Sequence, residues 1–394
     1  MKILFISDVV YPYTKGGSEL RMHKLANYFI KKGCDVEIIC GKFWKNKPKE
    51  DYIHGIPIIR SLYKPLKNDA SRRTLIEPMS YTASLLFEIL KRGRDSYDII
   101  EYNQTPILHF STLSIIKKLP IAKRSTIVGA LHEFWEHYWM KYAGKIAGSI
   151  GYSLERYATK KLDHIITISY FNKYRLMKHG IKSSKISVIR PGVDYYTIQE
   201  VKPYYKEIFD AIYVGRIVGD RNLHILIKSI DVIRRKYSMR IKLAIIGEGP
   251  LETFLKNLVQ KLNLHDQVTF FGRIEKHELI YSIMKSSKVF VYPTAPEGGW
   301  CIVMLEANAA GLPVITLKRS DIGVGYEIVN NGVNGLILNE ITPETLADAI
   351  IKLLINEELR EKLSINSKNF ARNYDWDKVA ERTLKLYNYL ISNK

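Results

Sequence analysis

Short apolar runs, each ended by glycine, proline or a charged residue, recur along the chain and alternate with stretches of helical spacing. Lys2–Ser7 is the first run and reads as a buried strand, followed by a loop of Tyr, Pro and Gly over 8–17. Met22, Leu25, Ala26, Phe29 and Ile30 then share one face, opposite Lys24, Asn27 and Lys31. That spacing predicts a helix from an N-cap at Ser18 to about Lys32. Gly33 closes it, and Asp35–Cys40 reads as the next strand, so the unit is βαβ with a right-handed crossover. Gly16 and Gly17 occupy the strand-to-helix turn, where open α/β sheets bind ligands, although the dinucleotide fingerprint Gly-x-Gly-x-x-Gly is absent.

The alternation continues through Asp98–Tyr102, Ser125–Val128, Ile165–Ile168 and Ile186–Ile189. His132 follows the run Ile127–Leu131, at a strand's carboxyl end. Tyr195–Asp210 has no strong period and reads as a connection, after which the pattern restarts. Strands are expected at 211–215, 242–246, 267–271, 289–292, 313–316 and 335–338, giving a second parallel sheet flanked by helices. Several of these strands end in a glycine beside a charge. Arg216 and Arg221 leave one strand's tip on the same loop, and guanidinium forks of this kind bind diphosphate oxygens.

One stretch gathers the most chemistry. Val289–Tyr292 stops at Pro293, passes through Gly298 and Gly299, and continues as a short helix to Gly311, where a positive φ is expected. Strand, glycine loop and helix start bring free N–H groups and a positive dipole end to one point. Glu297 and Glu306 flank that point. Backbone for phosphate and carboxylates for hydroxyls suit a nucleotide-sugar.

Composition bounds these readings. A chain of 394 residues with 46% hydrophobic content is globular and long enough for two domains. Neither an apolar run of membrane-spanning length nor a signal-peptide core is found. Cys34, Cys40 and Cys301 are odd in number and lack metal-ligand spacing, which argues for a reducing cytoplasm and against zinc. The formal charge is +20, and it is uneven: residues 1–200 carry 33 Lys+Arg against 18 Asp+Glu. A basic first half favours an anionic partner. Nucleic acid is set aside, because no groove-reading helix, zinc pattern or RNA-binding signature accompanies the charge. Phe134–Tyr142 points instead to a membrane surface: Trp135 and Trp139 are i,i+4 neighbours beside Tyr138 and Tyr142, with Lys141 and Lys145 following. Arg156, Lys160 and Lys161 could extend that basic face, as could Arg72, Arg73, Lys91, Arg92 and Arg94. Packing of the aromatic face in an acceptor cleft or core is the alternative.

Taken in order, these pieces resemble the retaining GT-B glycosyltransferases of family 4, a group that includes sucrose synthases and bacterial mannosyltransferases. The resemblance rests on Gly16–Glu19, Lys185–Asp194, Tyr213–Arg216, Ile246–Pro250 and Pro293–Gly311, with Glu327, Gly332, Gly335 and Asp375–Asp377 fitting later positions. It implies an α/β fold with two Rossmann-like parallel-sheet domains facing across a cleft. Residues 1–195 would form the acceptor side, 196–210 the linker and 211–375 the nucleotide-sugar domain, with a helix over 376–394 returning to the first domain. The implied reaction moves a hexose from a nucleotide diphosphate sugar to a glycan or lipid-linked acceptor, with retention and without metal or other cofactor. The catalytic positions implied are Glu297, His132, Arg216 and Arg221. Donor binding would fall to Gly16, Gly17, Gly215, Gly298, Gly299, Trp300, Cys301 and Glu306, the last of these on the ribose hydroxyls. A cytoplasmic protein, peripheral on the inner face of the cell membrane, is the matching location.

Two departures from the family pattern matter. Eight residues separate Glu297 from Glu306 where seven are usual, so either the loop bulges and Glu297 still reaches, or the first carboxylate is displaced. Arg221 stands where lysine is usual. Asp375–Asp377 invites a metal reading, but capping and a tryptophan anchor are the preferred one. Outside transfer, the alternatives are a nucleotide-sugar epimerase of the same fold and a non-catalytic nucleotide-sugar or glycan-binding scaffold.

Overall fold

A computed structural model describes residues 1–14, 16–41, 52–60, 76–92, 97–104, 107–120, 125–204, 208–295, 300–318 and 327–394. The chain divides into two compact units, Met1–Pro191 with Asp377–Lys394, and Gly192–Trp376.

The first unit is built on strands β1 (Lys2–Ile6), β2 (Asp35–Cys40), β3 (Tyr52–Ile53), β4 (Ile56–Arg60), β5 (Ile99–Asn103), β6 (Thr126–Leu131), β7 (His164–Thr167) and β8 (Ile186–Val188). Their spatial order is β3-β4-β2-β1-β5-β6-β7-β8, parallel throughout except for the β3–β4 hairpin. The chain runs outward from β1 to β4 and returns to β5 on β1's other side, which creates a switch point where ligands of open α/β sheets bind. The helix expected from Ser18 is Gly17–Lys31, and its N-cap is Gly16 rather than Ser18. Gly16 is extended and its carbonyl accepts from the Leu20 amide at 3.1 Å. The Glu19 carboxylate folds back into the space a Cβ at position 16 would need.

Phe29 on that helix packs on Phe5 and Tyr387, at centroid distances of 6.4 and 5.7 Å. Tyr387 belongs to helix Trp376–Ser392, whose residues from Asp377 on are part of this unit. Beside these rings Arg21 donates to both oxygens of Glu101 at 2.7 and 3.3 Å, and the Tyr387 hydroxyl donates to the same carboxylate. Arg21 and Glu101 are each 2% exposed. A pair this deeply buried is favourable only when its remaining lone pairs are met, and Tyr387 meets one of them.

The second unit contains β9 (Phe209–Val214), β10 (Leu243–Ile246), β11 (Val268–Gly272), β12 (Ser287–Tyr292), β13 (Val314–Leu317) and β14 (Gly335–Leu338). They form one parallel sheet in the order β11-β10-β9-β12-β13-β14, so its switch point lies between β9 and β12. The segment expected as a linker, 196–210, differs from expectation. Tyr195–Glu200 is a helix with Tyr195 and Ile198 buried, and Lys285 donates to the carbonyls of Gln199 and Val201 at 2.6 and 2.7 Å. The Tyr204 amide donates to the Ser282 carbonyl at 3.0 Å. The described residues of the segment are therefore part of the second unit, and the chain crosses at Pro191–Gly192. Trp376 fills the space beside Gly192, where a Cβ would meet its ring, and Asp375 accepts from the Tyr195 amide at 3.2 Å.

Candidate functional site

At the second switch point the loops after β9, β10 and β12 are fastened to one another. Gly215 and Gly247 have φ of +155° and +140°, and a Cβ on Gly247 would overlap the Gly215 carbonyl. The Gly215 amide donates to Ile246 at 3.0 Å, so what Gly215 supplies is close backbone approach, with its N–H already engaged. Arg216 is exposed, and its carbonyl accepts from the Tyr213 hydroxyl at 2.9 Å. Arg221 is buried. It lies 3.3 Å from Asp220, with its guanidinium 5.7 Å from the centre of the Tyr292 ring. Asn222 takes a left-handed backbone, φ 53°, and donates to the Pro293 carbonyl at 3.0 Å, which ties the first loop to the second.

Beyond that tie, Glu297, Gly298 and Gly299 lie outside the described residues. Trp300 is buried, its ring 4.9 Å from Tyr374 and 6.5 Å from Phe370, residues at and just beyond the end of helix Glu357–Arg372. Cys301 is half-buried beside the Tyr292 hydroxyl, and burial pushes its thiol up. Helix Ile302–Ala310 follows and ends, as the glycine requires, at Gly311 with φ 88°. Glu306 accepts from the Tyr281 hydroxyl at 3.0 Å. Burial pushes its carboxyl up to about 7, Tyr281 pulls it down, and the negative charge of Asp194 pushes it up further.

The first switch point is of another character. Gly16 and Gly17 start the helix after β1. Asn103, at the end of β5, donates through Nδ2 to Ser7 Oγ at 3.2 Å and accepts the Gln104 amide on Oδ1 at 3.1 Å. Oδ1 is therefore the atom that meets His132 Nε2 at 3.2 Å, and Nε2 is the protonated ring nitrogen. Burial, and then the nearby Arg21 guanidinium, push His132 down to about 3, so it is neutral across the working range. Asn172 donates to the His132 carbonyl and holds the strand end. Sequence reasoning found His132 but not Ser7, Asn103 or Arg21, whose partners are far away in the chain.

Both halves match family models. Residues 15–195 match Glycosyltransferase Family 4, and residues 197–370 match Glycosyl transferases group 1. The chain belongs to the family 4 glycosyltransferases. An uncharacterised glycosyltransferase of Methanocaldococcus jannaschii is 32% identical over 60% of this chain and 62% of its own length. This chain therefore spans less than two thirds of that relative. A component of the human phosphatidylinositol N-acetylglucosaminyltransferase is 24% identical over 98% of this chain and 75% of its own length. Among solved structures, Anabaena HepE in complex with UDP aligns over 99% of this chain and 100% of its own, with a TM-score of 0.74 at 17% identity. The fold of this glycosyltransferase is GT-B.

The aromatic segment of this glycosyltransferase splits into two faces. Trp135 and Trp139 turn toward each other at 4.7 Å, and the Trp139 ring fills the space beside Gly151 on helix Lys145–Lys161. The buried Glu155 accepts the amides of Trp135 and Glu136, both at 3.0 Å. The outward face keeps Tyr138, Tyr142, Ile146 and Ile150 exposed, Ile146 at 84%, among Lys141 and Lys145. Arg72, Arg73 and Arg94 of the expected basic face lie outside the described residues. No helix among the described residues is long and apolar enough to cross a membrane.

Proposed function

We propose that this glycosyltransferase transfers a hexose from a nucleotide diphosphate sugar to a glycan or lipid-linked acceptor, with retention of configuration and without a metal. The observation that carries the reading is the fastening of the β9 and β12 loops at the switch point, which holds Arg221 over Tyr292 in the unit that also carries Glu306. In this reading Arg216 and Arg221 take the diphosphate and stabilise its charge as the glycosidic bond breaks. Glu306 accepts from the ribose diol. Neutral His132, its Nε2–H engaged by Asn103, accepts from a sugar hydroxyl on Nδ1 without adding charge to an oxocarbenium-like transition state. The UDP bound in HepE supports a nucleotide-linked donor. The lipid named for the human relative supports a lipid-linked acceptor.

The same reading places the protein at an anionic inner membrane face. Its support is the exposed Tyr138, Tyr142, Ile146 and Ile150 among lysines, in the more basic half of the chain.

Donor hydrolysis tests the proposal. Slow release of nucleoside diphosphate without acceptor, and faster release with a lipid-linked glycan, is the expected result. Interconversion of sugar nucleotides would establish the epimerase instead. Binding with neither reaction, across glycan and lipid acceptors, would establish the scaffold.

A further inference from the structure

Glu306 has a neighbour that nothing in the motif around it announces. Tyr281 sits on helix His277–Lys285, one element before β12, whereas Glu306 sits on the helix after it, and the two helices pack together. The Tyr281 side chain is buried, and its hydroxyl donates to Glu306 Oε1 at 3.0 Å. We infer that Tyr281 is a positioning residue for donor binding: its hydroxyl fixes the Glu306 carboxylate and keeps it in the ionised form that a ribose diol needs as acceptor. The inference rests on the proposed ribose contact of Glu306.

Three observations support it. A carboxyl drawn out of water takes up a proton unless a donor stabilises its charge, and among the described residues Tyr281 is such a donor. Burial and the adjacent Glu306 push the Tyr281 hydroxyl far up, so it keeps its proton and remains a donor at every working pH. Asp194, at the start of helix Tyr195–Glu200, is the other titratable group that acts on Glu306, and its negative charge favours the protonated form. Donor affinity is therefore set by two neighbours pulling in opposite directions near neutral pH. Affinity rises with pH as Glu306 ionises through about 7.

The experiment is a calorimetric titration of the whole protein with UDP-glucose, UDP-N-acetylglucosamine, GDP-mannose and ADP-glucose between about pH 6 and about pH 9, a range in which a diphosphate diester does not titrate. For whichever donor binds, Tyr281→Phe should move the midpoint of the affinity profile upward by on the order of one pH unit. Affinity at pH 7 would fall roughly five-fold and recover by about pH 9. Asp194→Asn should move the midpoint downward. Glu306→Gln should be weak and flat at every pH. A Glu306→Gln variant with wild-type affinity, or no binding by any of the four sugars, overturns the donor reading itself. A weak Glu306→Gln variant beside a Tyr281→Phe profile that is unshifted, or lowered equally at all pH, overturns the positioning role alone. Should Tyr281→Phe fail to fold, the Asp194→Asn shift decides, and an unmoved midpoint counts against the inference.

Discussion

Between β1 and β5 the side chains of Ser7, Asn103 and His132 bond to one another, whereas in the second unit a carboxyl pushed up by burial rests on the Tyr281 hydroxyl. In the first unit Ser7, Asn103 and His132 form a neutral chain, and Arg21, Glu101 and Tyr387 close an ion pair in the core. In the second unit Arg216 is exposed, Arg221 is braced on Tyr292, and burial pushes the Glu306 carboxyl up to about 7. Buried charge that is closed internally serves the fold. What separates Glu306 from Glu155, which burial pushes up equally, is its partners: Glu155 is closed by two backbone amides, whereas Glu306 has the Tyr281 hydroxyl and keeps acceptor capacity for a ligand.

The sharpest way to break this contrast is to open the closed pair. Arg21→Met leaves Glu101 buried without its cation and should cost about 3–5 kcal/mol. Thermal unfolding should show a fall of roughly 10 °C, and a loss below about 1 kcal/mol would mean that the pair is not what closes the first unit. Arg221→Ala should do the reverse, slowing turnover about 100-fold with the fold retained. Turnover within about three-fold of wild type would remove Arg221 from the leaving-group role, and circular dichroism would check the fold.

Acid should separate the units. His23 and His164 are pushed down by burial to about 4, and His109 and His132 to about 3. An unfolded histidine protonates near ~6.5, so the unfolded chain takes up these protons first and stability falls as pH drops below that value. Glu155 and Glu306, both pushed up to about 7 by burial, have the opposite sign and lose stability as pH rises from their unfolded value toward 7. Four histidines outweigh Glu155 in the first unit, while in the second His224, also pushed down by burial, opposes Glu306. Hydrogen exchange at about pH 5 should find the first unit opening before the second, and equal opening would contradict the assignment. The smallest effect concerns the outward aromatic face. Ile146→Ser should change stability by no more than about 0.5 kcal/mol yet reduce sedimentation with anionic liposomes, and unchanged sedimentation would detach this face from the membrane.

Apart from β3 and β4, which match no strand expected from the sequence, the sheets, their strand ends and the glycines at close approach were legible because each depends on neighbours within a few residues. Gly311 and the turn at Gly215 are of this kind. The Arg21–Glu101–Tyr387 cluster was not, since its members are 80 and 286 residues apart and each alone reads as an ordinary polar position on an element. Tyr281 was hidden for the same reason, being one apolar-looking residue on an amphipathic helix. Trp300 was seen as part of the donor loop, and its partners Phe370 and Tyr374, in and just after helix Glu357–Arg372, are connected to it by no local pattern. The N-cap was misplaced by two residues because serine is the stronger capping residue, whereas the helix starts from Gly16 with no side-chain cap.

The hydroxyl of Tyr387 on Glu101 also sets an order of assembly. The second unit is one unbroken stretch, 192–376, whereas the first needs residues from both sides of it. During synthesis the second unit can fold while the first still has Arg21 and Glu101 without their third partner. The amino-terminal half, although translated first, gains the Tyr387 hydroxyl only when the helix beyond the second unit has been made.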